Sequence, residues 1–519
     1  MKTKSILYYI AAVTLSAATM QSCTKLDSKV YNQVPVDEFY KTPEQVNAVI
    51  ASVYNPMTNI PFQAAFLMNE TSTDEMIFPT RGNDWLDGNK WQNEWKHTFL
   101  ANIDDVNNAW NDINAGVTKC NFVLNIIQGL ATKPANVEQK IAEIKVLRAF
   151  YLFKFTDLYG NIPLVTDYNT DPSKVKQVSR ADAYKFIESE LTANVPLLSD
   201  VAGPGTATYG HINKWGGYAL LAKLYLNAQV YTGTAEWQKA ADAADLVIKS
   251  GKYSLQPNVL DNFIVNNDNS VENIFVVPFD AVYIGGNDMQ TKTLNYNNQF
   301  TYNLTGRPNN GACAPTDFYR SFTDNDARKA MWITGQQYSS TGQVLIDQGT
   351  KLNVILSPYV LQLSNPADSF KFAGARSVKY APQAGTNGQT SNDGVIFRLA
   401  DVYLMKAEAE MRAAGGAPAG DALSLVNAIR ARAGVPAWSA GDLTLKNLLA
   451  ERGRELAWEG WRRNDLIRFE EADGIPYFTG ARVPGKTQDA DKHTYLMPIP
   501  DPQHISNPNL VQNPGYQFD

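Results

Sequence analysis

Apolar residues recur every three to four positions through most of residues 37–255 and again through 396–470, the period of helices that bury one face. Thr42-Pro43-Glu44 opens the first such run, with threonine as N-cap and proline at the first helical position, and the pattern carries it to Tyr54. Helical period continues over 110–127. Residues 137–159 are apolar nearly all round, which predicts a helix enclosed on most sides and ended by Gly160 and the turn Asn161-Ile162-Pro163. A further helix is expected over 180–198. Residues 214–230 and 236–249 read as a hairpin across Thr232-Gly233-Thr234, with Ala219, Ala222, Ala240 and Ala244 small enough for close approach. Its length is near the ~34-residue tetratricopeptide (TPR) unit.

From 256 to 395 the periodicity gives way to Asn, Gly, Asp and Tyr, an irregular lobe of loops. Long loops held by a rigid scaffold are good recognition surfaces. Helices return at 398–414 and 420–432. Past residue 471 the pattern weakens again, and prolines 498, 500, 502, 508 and 514 predict an extended tail lying across the scaffold. The expected fold is therefore mainly α, a TPR-like helical-hairpin scaffold with a large irregular, loop-rich lobe over 256–395 and a proline-rich tail over 471–519.

The stretch 445–469 breaks the rule that a buried helix face is apolar. Leu445, Leu448, Leu449, Arg452, Leu456 and Glu459 share one face at helical spacing, and Glu451 and Glu455 form a carboxylate pair beside it. Two readings compete: a catalytic carboxylate pair, or a buried ion network that fixes how the helix docks. Every acid has an arginine nearby, which favours the network, because buried charge is tolerated when paired. Asp401 and Glu408 interrupt the apolar pattern of 398–414 in the same way and are its expected partners.

Charge and cysteine usage narrow the class. The 519-residue chain carries a formal charge of −6 and no lysine/arginine run beyond Arg462-Arg463, so nucleic acid is not an expected partner. Lys2 and Lys4 precede an apolar run from Ile6 to Met20 that Gln21-Ser22-Cys23 closes, the layout of a secretory signal over residues 1–22. The run is too short for a membrane anchor. A cysteine after a small residue resembles the lipobox of bacterial lipoproteins, which makes Cys23 the expected lipidation site and membrane tether. Cys120 and Cys313 remain, and two cysteines make no disulfide framework; a buried thiol is the commoner state for Cys120 in its helical pattern.

Catalytic signatures are missing. His97, His211, His493 and His504 lie far apart without metal-ligand spacing, and there is neither a nucleophile elbow nor a phosphate-cradling loop, so no metal or cofactor is expected. A glycosidase needs only two carboxylates across a cleft, which sequence leaves open. Rings are what the chain offers. Trp85, Trp91 and Trp95 crowd a loop with Arg81, Asn83, Asp84, Asp87 and Asn89, and Tyr283, Tyr296 and Tyr302 recur in the irregular lobe. Sugar rings stack their C–H faces on aromatics and leave hydroxyls for Asn, Asp and Arg, while the bland alternative is that these rings are local cores pinning long loops.

Several runs together carry a resemblance: EIKVLRAFYLFKFTDLYGNIPLV from Glu143, ENIF at Glu272, RLADVYLMKAEAE from Arg398, VNAIRARAG from Val426, ERGRELAWEGWRRNDLIRF from Glu451, and the closing MPIP and NPNLVQNPGY. In this order behind a lipid-type signal, the chain resembles the SusD/RagB family of outer-membrane lipoproteins nearly end to end. The resemblance implies one domain over 23–519 and four TPR-like helix pairs. It also implies a surface position on the outer membrane, an oligosaccharide or polysaccharide ligand, a SusC-like TonB-dependent transporter as partner, and no catalytic centre. Residues 287–318 match the lobe that carries part of the glycan site in starch-type members, with Tyr296 where such members have a ring. Asn309 stands where they have tryptophan before an Asn-Gly pair, a departure that puts a starch-like platform in doubt. The ligand-binding set expected is Arg81, Asn83, Trp85, Trp91, Tyr283, Tyr296 and Asn309. Two other readings remain, a surface glycoside hydrolase and a transporter-assembly lid that binds no sugar.

Overall fold

The computed structural model describes residues 40, 42–130 and 132–519; the signal segment and Cys23 lie outside the described residues. The chain divides into Met1–Val46 and Asn47–Asp519. In the first unit the backbone N–H of Gln45 donates to the Thr42 hydroxyl at 3.3 Å, the N-cap expected of the helix Pro43–Ala51.

The second unit is built on long helices: α1 (Asp104–Gly129), α2 (Val137–Tyr159), α3 (Arg180–Asn194), α4 (Lys214–Leu226), α5 (Trp237–Lys249), α6 (Leu399–Ala413), α7 (Ala422–Arg432), α8 (Leu445–Leu456) and α9 (Arg462–Asp473). Successive helices pack on one another: α1 on α2, α2 on α3, α4 on α5, α5 on α6 and α6 on α7. This is the stacked-hairpin architecture that the spacing predicts. The alanines at the α4–α5 contact are buried as expected, Ala219, Ala222, Ala240 and Ala244 all at 0% exposure. At the α1–α2 crossing the close approach rests on Gly116, where a Cβ would fall 2.3 Å from the Tyr151 ring.

Helix α2 runs through the centre. Every residue from Val146 to Tyr159 is buried, including Arg148, Lys154 and Asp157. Each charge is answered: Arg148 Nε donates to Glu190 Oε2 at 3.0 Å, Asp157 accepts from Tyr231 at 2.7 Å, and the Lys154 ammonium sits 3.6 Å over the Trp461 ring. Burial pushes Lys154 down to about 8.

Between α5 and α6 the chain forms short helices and two-residue ladders, as the loss of periodicity predicts. Its one longer pairing is antiparallel, β1 (Asn273–Val277) with β2 (Gly394–Arg398), buried throughout. Strand β2 runs directly into α6, so Arg398 sits at the joint between lobe and scaffold.

The charges of 445–469 form the expected network. Arg398 reaches Glu272 at 2.9 Å, Glu455 at 2.6 Å and Glu459 at 2.7 Å. Arg328 holds Glu451 at 2.7 Å and Glu455 at 3.2 Å, and Arg432 pairs with both Glu272 and Glu455. A second group binds α8 and α9 to α6: Arg452 to Asp465 at 2.8 Å and Asp401 at 3.0 Å, Arg468 to Glu408 at 2.8 Å. Burial alone would raise Glu455, but Arg432, Arg398 and Arg328 hold its carboxyl well below the usual range. Arg452 and Arg468, with Lys223, do the same for Asp465 against its burial.

Two expectations need correction. Glu459 does not share a helix with Leu445, because the chain breaks between α8 and α9, with Trp458 at φ 58° and Gly460 at φ 78°. The break lets the Trp458 indole donate to the Glu75 carbonyl at 2.8 Å. The tail is not wholly extended either. Asp501–Ser506 is helical, since Pro502 falls in its first turn, where a missing N–H costs nothing. Cys120 and Cys313 are free and buried.

Removing one member of a buried ionic group leaves its partners charged and unpaired. Arg452→Ala is expected to lower folding stability by about 3–5 kcal/mol, read as a lower urea midpoint, and a midpoint matching the parent would contradict the network's role.

Buried carboxylates that make no salt bridge behave oppositely. Burial pushes Glu70 and Glu94 up to about 8. Between roughly pH 4.5 and 8 the folded chain keeps protons there that the unfolded chain has released, so stability falls as pH rises. Below that window the unfolded chain takes up protons that Glu455 and Asp465 refuse when folded, so stability falls as pH drops. The urea midpoint should peak near about pH 5, and Glu94→Gln should flatten the limb above it; a midpoint climbing steadily to pH 8 would exclude this assignment.

Candidate ligand-binding site

The short strand Thr80–Arg81 pairs in parallel with Ser364–Asn365 and delivers the loop 82–89 onto the irregular lobe. Within it Gly82, Trp85, Asp87, Gly88 and Asn89 all have positive φ, between 37° and 68°. Three of these are not glycine, a strained backbone that persists only when its surroundings fix it. The fixing residue is Arg81. Its guanidinium donates to the carbonyls of Asn310 at 2.7 Å, Gly311 at 2.8 Å and Ala373 at 2.9 Å. Arg376 supports the same floor, donating to the Ala373 and Gly374 carbonyls at 2.7 Å and to Asn310 Oδ1 at 2.9 Å. Burial and the neighbouring Arg81 charge push Arg376 down to about 9.

On this floor stand two half-buried rings. The Trp85 indole N–H donates to the Asn309 carbonyl at 2.8 Å, and the ring lies against Gly311, where a Cβ would come within 2.5 Å of it. Tyr296 donates its hydroxyl to Asp84, and the Arg307 guanidinium lies 3.9 Å from the centre of its ring. Burial and the Asp84 carboxylate raise the Tyr296 hydroxyl above its usual range, so it stays a donor. Asn83 and Asn309 are exposed beside the rings. Amides, a guanidinium, a carboxylate and two ring surfaces suit a neutral, polyhydroxylated ligand that stacks and hydrogen-bonds.

The structure brings Asn83, Trp85, Tyr296 and Asn309 together and removes others from contact. Arg81, at 1% exposure with its guanidinium donating to backbone carbonyls, holds the site from below and cannot face a ligand. Trp91 is also core: it stacks on Phe78 at 4.1 Å and donates to Asp87 at 2.7 Å. Trp95 is buried as well and donates to the Pro484 carbonyl at 2.8 Å. Both lie on the short helix Lys90–Lys96, whose apolar face turns inward. Tyr283 is 87% exposed on the turn from Asp280 to Ile284, and among the described residues no hydrogen bond or ring contact joins it to the Trp85 group. Arg307 escaped the sequence reading, and Asp84 was read as a polar residue of the Trp85 loop but not placed in the expected ligand-binding set. Only proximity in the chain to Tyr296 pointed to Arg307.

Glu451 and Glu455 are fully buried among arginines and out of reach of any substrate. Among the described residues no group of three His, Cys, Asp or Glu is placed to hold a metal, and no helix is long and apolar enough to cross a membrane.

A family model described as the SusD family matches residues 249–516. The chain belongs to the SusD family. A second family model, described as starch-binding associating with outer membrane, matches residues 25–226. The chain is 26% identical to the starch-binding protein SusD of Bacteroides thetaiotaomicron over 88% of this chain and 86% of that one. It is 25% identical to a SusD-like protein of Bacteroides ovatus over 93% of each. Among solved structures it superposes on a laminarin-binding SusD-like protein with a TM-score of 0.71 at 23% identity, covering 92% of this chain and all of that one. It also superposes on surface glycan-binding protein A of Bacteroides thetaiotaomicron in complex with laminarihexaose, with a TM-score of 0.72 at 21% identity over 91% of this chain and all of that one. These likenesses establish the fold, SusD-like and mainly helical.

The contact between Trp85 and Gly311 can be tested alone. Gly311→Ala is expected to displace the Trp85 ring, because the new methyl would also meet the Lys292 carbonyl at 2.7 Å. In protein labelled with 5-fluorotryptophan, the resonance assigned by Trp85→Phe should shift while those of buried Trp110 and Trp458 stay; an unmoved Trp85 resonance would refute the contact.

Proposed function

We propose that this SusD-family chain is a non-enzymatic, lipid-anchored glycan-binding protein of the outer-membrane surface, which captures oligosaccharide and passes it to a SusC-like TonB-dependent transporter. The observation that carries the reading is the pair of half-exposed rings, Trp85 and Tyr296, held rigidly beside Asn83, Asn309 and Arg307. The names of the relatives, starch-binding, laminarin-binding and glycan-binding, support the ligand class. Outer-membrane association is supported by the second family model and by the lipobox-like Ser22-Cys23.

Because the rings are seated before ligand arrives, little ordering cost accompanies binding, yet an open site with two rings gives modest affinity. The hydrolase reading loses its candidate acids, since Glu451 and Glu455 cannot reach substrate. Trp85→Ala and Tyr296→Ala should each weaken oligosaccharide binding by about 0.5–1.5 kcal/mol, roughly two- to tenfold, with a thermal midpoint within a few degrees of the parent. Titration calorimetry against laminari- and malto-oligosaccharides reads this. Unchanged binding in both variants would sink the site, and new reducing ends released from a glycan panel would sink the non-enzymatic reading.

A further inference from the structure

A second cleft lies away from the Trp85 site, between one face of α1, the loop 163–175 and the helical turn Asp501–Ser506 of the tail. Its volume is about 200 Å³, room for a single ring and well below the pockets of drug-sized ligands. Helix α1 presents Trp110, Asn114, Val117, Thr118 and Asn121 to it at i, i+4, i+7, i+8 and i+11, one continuous stripe.

The walls are fixed. Gln503 donates to Asn107 and Asn111, both at 2.9 Å, and Asn507 donates to the Val175 carbonyl at 2.8 Å, so the tail is fastened both to α1 and to the loop. Fixed walls make the cleft a preformed one.

Asn121, Gln503 and Asn507 are engaged by protein partners, but several other polar groups of the cleft make no hydrogen bond among the described residues. The Trp110 ring is 98% enclosed, packed edge-on against Phe155 at 4.5 Å and Tyr159 at 5.0 Å, and its indole N–H has no acceptor among the described residues. The side chains of Asn114, Thr118 and Thr170 and the Tyr168 hydroxyl likewise have no hydrogen-bond partner among the described residues. Tyr168 stands 45% exposed at the rim with one edge on Phe122 at 5.1 Å, leaving ring surface open. Asp167 is the sole lining carboxylate, and no lysine or arginine lines the cleft, so an anion has no counter-charge there.

We propose that this cleft is a second binding site, which takes one neutral sugar ring: the ring stacks on Tyr168, Trp110 N–H donates to a hydroxyl or ring oxygen, and Asn114, Thr118 and Thr170 bond the remaining hydroxyls. The sugar class rests on the glycan reading above; the cleft and its idle donors do not.

The test uses the full chain carrying Trp85→Ala and Tyr296→Ala, so that binding at the first site is weakened. Glucose, galactose, mannose and xylose are offered singly at millimolar concentration, with glucuronate and glucosamine as charged probes, and saturation transfer from protein to sugar is read by NMR. At least one neutral sugar should give a signal that falls to background in Asn114→Arg and in Tyr168→Ala. Both side chains are exposed, so neither change threatens the fold. Absence of signal from all neutral sugars, or a signal indifferent to both substitutions, would overturn the proposal, as would a signal confined to glucosamine, which would make the cleft an ammonium site facing Asp167. Failure of Trp85→Ala to weaken oligosaccharide binding in the parent would remove the first site alone and leave this signal standing.

Discussion

The joint of lobe and scaffold is held through a buried charge network. Arg398 closes strand β2 and opens α6, and from that one position it grips Glu272 beside β1, Glu455 on α8 and Glu459 in the turn before α9. Arg432 repeats two of those contacts from α7. Apolar packing alone lets helices slide by a turn at small cost, whereas a carboxylate paired with three guanidiniums has one arrangement that satisfies all of them. The network therefore fixes register between segments far apart in sequence, at the expense of a large desolvation.

Rigid register in the scaffold is what allows the proposed recognition surface to be made of loops. The Trp85 ring packs on Phe78 and Trp91, and its loop is joined to the segment 309–311 by the pair Arg81 and Arg376, which bond backbone carbonyls. Carbonyl groups exist whatever the side chains are. A loop stapled through backbone can exchange its rings and amides without losing its seat.

The same distinction explains what could be read from residues alone. Helix α2 was legible because an apolar run bounded by Gly160 has a single packing solution, and the ion network was legible because charges on an apolar face must be paired. Asp401 and Glu408 could be matched to 445–469 on that ground. The break at Trp458–Gly460 was not, since helical spacing continues numerically across it and the bonds that favour the turn, from Trp458 to Glu75 and from Gly460 to Glu70, reach residues distant in sequence. Site residues divide similarly. Trp85 and Tyr296 declare themselves as rings on loops, but composition cannot tell a ring that faces water from one that faces inward, so Trp91 looked equivalent to Trp85. Arg81 misled for the opposite reason: arginine is commonly exposed, and its partners here are carbonyls, which carry no signature in sequence.

A consequence concerns where tolerance to change should lie in this architecture. Substitution in the network leaves several charges unpaired at once, since Glu455 answers Arg328, Arg398 and Arg432 together and no single replacement restores all three. Substitution of Asn83, Asn309 or Arg307 disturbs exposed side chains whose backbone is already secured. Stability and the proposed recognition thus fall to separate sets of residues, and the proposed recognition set can diverge while the scaffold beneath it keeps both rings in place.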